Sequence, residues 1–372
     1  MGYTDHVSKT ATVAGFLAFF LIGAIQAFYG PAQFALRERF AIDASAVSFI
    51  VSAHFLGSMT GILLLSPLER ILGWRKVLLL GSSLLITGCL SVAFAPIWIL
   101  ALLGAVIIGL GFGSMDLSFN TIFSTGFGNN STAMTNILNA LFGVGAIVGP
   151  ILVSAFPNDS RTPFLIAAGA TLILMPLLLG LRATKLEQAT TRFVFTGLFG
   201  LFVLMFFVYV GVEVSAATLE PRHLKDGLGL SESSAAQWNA LYWGGITASR
   251  ILIVPIALRL KPPVIVMGSA AVSLIGLALT FIPSFAPYAY IIAGLGFGPI
   301  FPTGFVWLTQ AIPSSVAAAS LVVAAANLGA VLIPPIASSL ATDPNNIPVI
   351  ITILGLPLLI LAVLLARRSQ KT

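Results

Sequence analysis

Three ionisable side chains fall inside long apolar stretches of this chain: Asp116, Glu213 and Arg250. A charge near the centre of a membrane-spanning helix costs roughly 2.5–3.5 kcal/mol on insertion scales, so each of these residues is expected to serve a function. A carboxyl group in an apolar setting can bind and release a proton, which makes Glu213 the candidate for proton coupling and Asp116 a second candidate. The alternatives for Glu213 are a Na⁺ site and a structural salt bridge near the outer face.

Neutral polar residues recur in the same apolar stretches. Gln26, Tyr29 and Gln33 are spaced i, i+3 and i+7, which places them on one helix face. Amides and aromatic rings together suit a sugar, whose hydroxyls need paired donors and acceptors and whose CH face stacks on a ring. The alternative is that these amides only hydrogen-bond neighbouring helices. The candidates for substrate binding are Gln26, Tyr29, Gln33, Asn120, Asn136, Asn139, Asn239, Tyr242 and Trp243.

The apolar stretches define the elements that position these residues. Hydrophobic residues make up 58% of the 372 positions and charged residues only 8%, a balance typical of a chain surrounded by lipid. Segments of about 20 apolar residues can cross a bilayer as helices, and the continuous runs exclude the alternation of a barrel strand. We therefore expect an all-α integral membrane protein with twelve transmembrane helices. The predicted spans are residues 11–36, 44–68, 75–95, 97–124, 132–156, 162–183, 193–218, 235–259, 262–284, 286–311, 315–341 and 345–366.

The two parts of the chain repeat one another. Gly109-Leu-Gly-Phe-Gly113 returns 185 residues later as Gly294-Leu-Gly-Phe-Gly298, and the string that begins at His54 aligns with the one that begins at Tyr242. This indicates two pseudo-symmetric six-helix halves, residues 1–181 and 193–372, joined by a cytoplasmic linker at 182–192. Repeated halves in so apolar a chain are typical of secondary transporters. The paired glycines are predicted to let helices pack closely.

Asp116 and Arg250 belong to opposite halves and each lies about ten residues from the predicted cytoplasmic end of its helix. We expect them to pair across an inner gate when the transporter faces outward and to separate when it opens inward. The alternative for Asp116 is a latch within its own half to a loop arginine, Arg70 or Arg75. His54 is expected to be structural, and His6 and His223 fall outside the predicted spans.

The distribution of charge excludes several functions. With the N-terminus inside, twelve Lys and Arg lie on the cytoplasmic side and five outside, so the net charge of +6 reflects topology rather than a nucleic-acid surface. No Gly-Lys dipeptide of a phosphate-binding loop occurs, which argues against ATP as the energy source. No metal-ligand cluster or catalytic constellation is visible, so we expect no enzyme activity, no metal site, and no cofactor beyond a coupling ion, H⁺ or alternatively Na⁺.

The chain resembles the major facilitator superfamily over its whole length. Glu69, Arg70 and Arg75 stand in a degenerate form of that family's loop between the second and third helices, where they are candidates for gating. Within the superfamily, the chain is similar to the group of fucose:proton symporters and sodium-dependent glucose transporters. The strings that carry this similarity are Gly111-Phe-Gly-Ser-Met-Asp116-Leu-Ser-Phe-Asn120, Tyr209-Val-Gly211-Val-Glu213-Val-Ser215 and Gly294-Leu-Gly-Phe-Gly-Pro-Ile-Phe-Pro302-Thr.

The resemblance implies alternating access, cation-coupled uptake and a hexose-like substrate. The expected protein is a monomer in the lipid bilayer of the cytoplasmic membrane, with both termini in the cytoplasm and no nucleic-acid partner. One alternative is a proton-coupled efflux antiporter for drugs or other amphiphiles, because Gly145-Ala-Ile-Val-Gly149-Pro150 partly resembles the antiporter signature. The other is a transporter-like nutrient sensor that binds substrate without moving it.

Overall fold

The computed structural model describes residues 7–65, 68–127, 131–180, 195–257, 259–312 and 316–369. The predicted linker at 182–192 lies outside the described residues, as do the side chains of Arg70 and Asn136. The α-helices are α1 (Lys9–Phe40), α2 (Ala44–Leu64), α3 (Glu69–Leu72), α4 (Trp74–Phe94), α5 (Trp98–Thr125), α6 (Ser131–Ser154), α7 (Thr162–Leu179), α8 (Gly197–Arg222), α9 (Glu232–Leu252), α10 (Val254–Ala257), α11 (Pro262–Leu279), α12 (Ala286–Phe297), α13 (Ile300–Ala311), α14 (Val316–Leu340) and α15 (Ile347–Ser369).

Within the described ranges, twelve segments are long and apolar enough to cross a membrane, which confirms the predicted fold class. Eight are single helices. The other four contain a break or an extension: α8 with a π-helical turn to Gly227, α9 with α10, α12 with α13, and α15 with a 3₁₀ turn that begins at Pro344. Large apolar side chains lie exposed on these helices, as at Leu172 and Ile173 of α7, which are 59% and 78% exposed. Such surfaces need lipid to cover them.

The chain divides into two compact units. Unit 1 comprises Met1–Asp43 and Phe49–Gln188, and unit 2 comprises Ala44–Ser48 and Ala189–Thr372. In unit 1, α1 packs on α6 and α7, and α4 packs on α5 and α7. In unit 2, α8 packs on α14 and α15, and α11 packs on α12 and α15. When the spans of each unit are numbered one to six, both units pair span one with spans five and six, and span three with spans four and six. The repeat in the sequence is therefore also a repeat of helix packing.

The repeated glycines explain how closely these helices approach. A Cβ at Gly109 of α5 would overlap the backbone carbonyl of His54 on α2, and a Cβ at Gly294 of α12 would overlap that of Tyr242 on α9. His54 and Tyr242 are the two positions that the internal repeat aligns. The prediction that these glycines serve helix packing is therefore confirmed in both units.

The seventh span ends later than predicted. The sequence placed its end at residue 218, but α8 continues to Arg222 and a π-helical turn carries it to Gly227. The prediction that His223 lies outside the spans was wrong: it is 3% exposed, and its Nδ1 lies 3.1 Å from the Tyr290 hydroxyl. Glu220, Arg222 and His223 are buried where α8 packs on α9, α12 and α14. Such tertiary contacts cannot be read from the local sequence.

Candidate functional site

Glu213 lies near the middle of the seventh span, 16 residues after the start of α8 and 14 before Gly227. This is closer to the middle of the span than the outer position on which the alternative of a structural salt bridge rested. Its side chain is 7% exposed, and Tyr209, one turn earlier on the same helix, is fully buried. Arg250 of α9 lies close enough to both side chains for electrostatic interaction. Unit 2 thus contains a buried acid, a buried phenol and a half-buried guanidinium in one cluster.

Arg250 also contacts a break in the tenth span. Its Nε donates to the carbonyl of Gly298 across 3.3 Å, at the junction between α12 and α13. In a regular helix this carbonyl would accept from the backbone N–H four residues later, but that residue is Pro302, which has none. Arg250 therefore links the cluster around Glu213 to a carbonyl that proline has freed.

Asp116 heads a chain of amides in unit 1. Asn120 Nδ2 donates to Asp116 Oδ1 across 3.1 Å, and Asn139 Nδ2 of α6 donates to Asn120 Oδ1 across 3.1 Å. The three side chains are partly exposed, so a ligand could contact them while they remain hydrogen-bonded to one another. The fourth candidate, Asn136, has no described side chain.

The structure tests one of the three arginine partners predicted for Asp116. Among the described side chains, its hydrogen-bond partner is Asn120, and Arg75 makes no ion pair with it. The latch to Arg75 is thus not formed here, and the latch to Arg70 and the pair with Arg250 remain predictions.

Most of the polar face of α1 is buried against other residues of unit 1. The Tyr29 hydroxyl lies 3.2 Å from His54 Nδ1, and both rings are buried. Gln33 is 2% exposed, while Gln26 is half-buried. In this conformation Gln26 is the most accessible of the three residues, and Tyr29 positions His54.

The predicted stripe on α9 lies against α8. The Tyr242 hydroxyl donates to the carbonyl of Glu213 across 2.9 Å. Trp243 is 4% exposed, and its indole N–H has no hydrogen-bond partner among the described residues. Since a buried indole N–H normally finds an acceptor, Trp243 is a donor that a bound hydroxyl could satisfy.

Asn239, the last member of that stripe, bonds two groups of α8. Its Nδ2 donates to the carbonyl of Ala217 and to Glu220 Oε2, each across 2.8 Å. Glu220 is fully buried, and sequence reasoning missed it because Pro221 and Arg222 made the segment resemble a loop. Tyr209 was also missed as a site residue, although its i, i+4 spacing from Glu213 signals a shared face.

The loop acid Glu69 is docked on α5. It begins the short helix α3, is 5% exposed, and its Oε1 is hydrogen-bonded to the Ser118 hydroxyl. Burial raises the pKa of Glu69 to about 7, and the Ser118 hydrogen bond opposes that rise. The candidate gating residue Arg75 is half-buried, and the side chain of Arg70 is not described. Glu69 therefore connects the loop after α2 to the helix that carries Asp116.

Comparisons with known proteins agree with this architecture. The chain is 25% identical to the mouse sodium-dependent glucose transporter 1A, over 91% of this chain and 92% of that protein. It is 23% identical to the glucose/mannose transporter GlcP of Bacillus subtilis, over 86% of this chain and 85% of that protein. The crystal structure of a D-xylose-proton symporter superposes with a TM-score of 0.76 at 15% identity, covering 95% of this chain and 96% of that one.

The relatives are transporters rather than enzymes. The family model of the Major Facilitator Superfamily matches residues 15–317 and 201–372, which together span nearly the whole chain. With the twelve spanning helices and the repeated packing, this match identifies a multi-pass membrane transporter: the chain belongs to the Major Facilitator Superfamily.

Proposed function

We propose that this protein is a proton-coupled symporter for a hexose-like sugar, working by alternating access as a monomer in the cytoplasmic membrane with both termini inside. The observation that carries the proposal is the cluster of buried Glu213 and Tyr209 with half-buried Arg250 in unit 2. The sugar is supported by the relatives, which are named as transporters of glucose or of glucose and mannose.

The cluster suggests how a proton could be coupled to movement. Ionised Glu213 attracts Arg250, and Arg250 also bonds the Gly298 carbonyl at the break between α12 and α13. A proton on Glu213 removes that attraction, since a neutral carboxyl no longer balances the guanidinium. Loading the proton would therefore weaken the interaction between α8 and α9. Arg250 would keep its hydrogen bond to the Gly298 carbonyl at the α12–α13 junction but lose its attraction to Glu213.

The polar groups of each unit suit a polyhydroxylated ligand. In unit 1, the Asp116–Asn120–Asn139 chain offers carboxyl and amide groups that are partly exposed. In unit 2, the Trp243 N–H is a donor without a hydrogen-bond partner among the residues that the structure describes. A sugar hydroxyl donates and accepts at once, so such paired groups can bind it with few unsatisfied atoms.

The test is uptake of labelled hexoses into proteoliposomes with and without an inward proton gradient. We expect gradient-driven accumulation, and we expect Glu213→Gln to abolish accumulation while sugar exchange continues. Glu38→Gln is the matched control, because Glu38 is an exposed acid near the end of α1 and should leave uptake unchanged.

The outcomes separate the rival functions. If no hexose moves under any gradient, the sugar proposal fails and a proton-coupled efflux antiporter becomes the working hypothesis. Saturable sugar binding without any flux would instead indicate a nutrient sensor. Accumulation driven by Na⁺ and indifferent to the proton gradient would keep the symporter and replace its coupling ion, in line with the names of the sodium-dependent relatives.

A further inference from the structure

A second buried acid lies on α8, two turns beyond Glu213. Glu220 is 0% exposed, and its one hydrogen-bond partner among the described residues is the neutral amide of Asn239, at Oε2. Its other oxygen, Oε1, has no hydrogen-bond partner in the described part of the chain. A buried carboxylate is costly unless its charge is balanced, and here no described cation forms an ion pair with it.

The orientation of the Asn239 amide is fixed by its neighbours. Pro221 has no N–H, so the carbonyl of Ala217, four residues earlier, lacks its helical donor. Asn239 Nδ2 supplies that donor and uses its second hydrogen on Glu220 Oε2, each across 2.8 Å. A flipped amide would lose both bonds, so the oxygen is the atom that faces away from them.

Asn239 Oδ1 is also buried and has no hydrogen-bond partner among the described groups. Two side chains in direct contact thus each present an unsatisfied oxygen, and both oxygens are acceptors. The hydroxyls of Tyr290 and Tyr242 lie within electrostatic range of Glu220, and each already has a partner, His223 Nδ1 and the Glu213 carbonyl respectively. A proton on Glu220 would satisfy Oε1 and would leave the Asn239 oxygen without a partner among the described residues.

From this geometry we infer that Glu220 and Asn239 form a binding site for a small monovalent cation, with Na⁺ as its probe. The donor set contains only hard oxygen atoms and one negative charge, which matches a single positive charge and falls short of what a dedicated divalent site uses. The site is distinct from the cluster of Glu213 and Arg250, and its existence does not depend on which substrate the protein carries.

Other charged and titratable groups near the site are already engaged. Arg222 points its Nη2 at the carbonyl of Ala341, 2.9 Å away, and His223 Nδ1 lies 3.1 Å from the Tyr290 hydroxyl. Lys225 is paired with Glu232 at 2.8 Å. None of these contacts is an ion pair with Glu220.

The experiment is binding of radiolabelled Na⁺ to the purified protein in lipid nanodiscs, in a choline buffer of constant ionic strength without sugar. We expect saturable binding and a rise in Tm with Na⁺ that choline does not reproduce. Glu220→Gln should weaken Na⁺ binding at least about tenfold, since even groups that only support a metal ligand cost that much. Glu213→Gln should retain Na⁺ binding, which separates this site from the proposed coupling residue.

The inference is overturned if the native protein shows no saturable Na⁺ binding, a result that needs no variant to fold. It is also overturned if Glu220→Gln folds and binds Na⁺ as the native protein does. If pH changes Tm through Glu220 while Na⁺ has no effect, the carboxyl carries a proton and the cation site is rejected. Asn239→Asp, which adds a second carboxylate, should bring measurable Ca²⁺ binding that the native protein lacks.

Discussion

Glu69 is a buried acid whose titration should be visible in the stability of the protein. Its pKa is raised from 4.5 to about 7, chiefly by burial. Between these two values the folded protein keeps a proton that the unfolded chain has released. Stability must therefore fall as pH rises from about 4.5 to about 7, and the loss is complete above that window.

The hydrogen bonds of Ser118 are consistent with a neutral Glu69. A serine hydroxyl has one hydrogen, and Ser118 lies 2.6 Å from the carbonyl of Ser114 as well as against Glu69 Oε1. A protonated Glu69 can donate to the Ser118 oxygen, and Ser118 can then donate to Ser114. An ionised Glu69 must compete with that carbonyl for the same hydrogen.

We expect Glu69→Gln to flatten the pH dependence of Tm, because glutamine keeps the shape and a donor but does not titrate. The native protein should lose on the order of a few degrees between pH 5 and pH 7.5, and the variant less. Thermal unfolding followed by intrinsic fluorescence measures both. Ser118→Ala is the companion variant: it should keep the slope, since burial causes most of the shift. A native protein with the same Tm at both pH values would contradict this account.

The helix pairs are held close by glycine, and this is where the internal repeat has its clearest physical consequence. A side chain at Gly109 meets the backbone of α2, which cannot move aside as the end of a flexible side chain could. Gly109→Ala should therefore destabilise the protein by about 1–3 kcal/mol, the usual cost of overpacking. Gly244→Ala is the matched control, because Gly244 lies in a helix with nothing within 4 Å of the added methyl.

The measurement is Tm in nanodiscs for both variants. Gly244→Ala should be neutral or stabilising by up to about 1 kcal/mol, because alanine is the better helix former. Gly294→Ala, at the repeated position in α12, should behave like Gly109→Ala. Equal Tm values for Gly109→Ala and Gly244→Ala would show that close packing of α2 and α5 does not limit stability.

The sequence predicts the elements well because length, hydropathy and glycine spacing are local signals. It predicts the ends of the helices and the contact partners of side chains less well, because both depend on tertiary contacts. Pro221 and Arg222 have the composition of a loop, yet they continue α8, since Asn239 replaces the donor that Pro221 lacks and Ala341 accepts from Arg222. In the same way, nothing in the spacing of Glu213 and Arg250 along the chain shows that they lie near each other.

At the scale of the whole molecule, the open prediction is the gate between Asp116 and Arg250. Each already has contacts within its own unit: Asp116 bonds Asn120, and Arg250 bonds Gly298 and lies near Glu213. Reversing the charge of Arg250 alone therefore removes the countercharge of Glu213 as well as any gate with Asp116. Proton-driven uptake would be lost in either case, so it is the wrong quantity to measure.

Sugar exchange is the informative quantity, because exchange needs both gates and no net proton movement. We expect Asp116→Arg and Arg250→Asp each to reduce exchange by at least about tenfold, the equivalent of 1.4 kcal/mol. The double variant should recover much of that loss if the two charges pair during the cycle. The coupling energy from this double-mutant cycle is the measure of the gate. Additive losses, with no recovery in the double variant, would assign Asp116 to the amides of unit 1 and Arg250 to the cluster of unit 2.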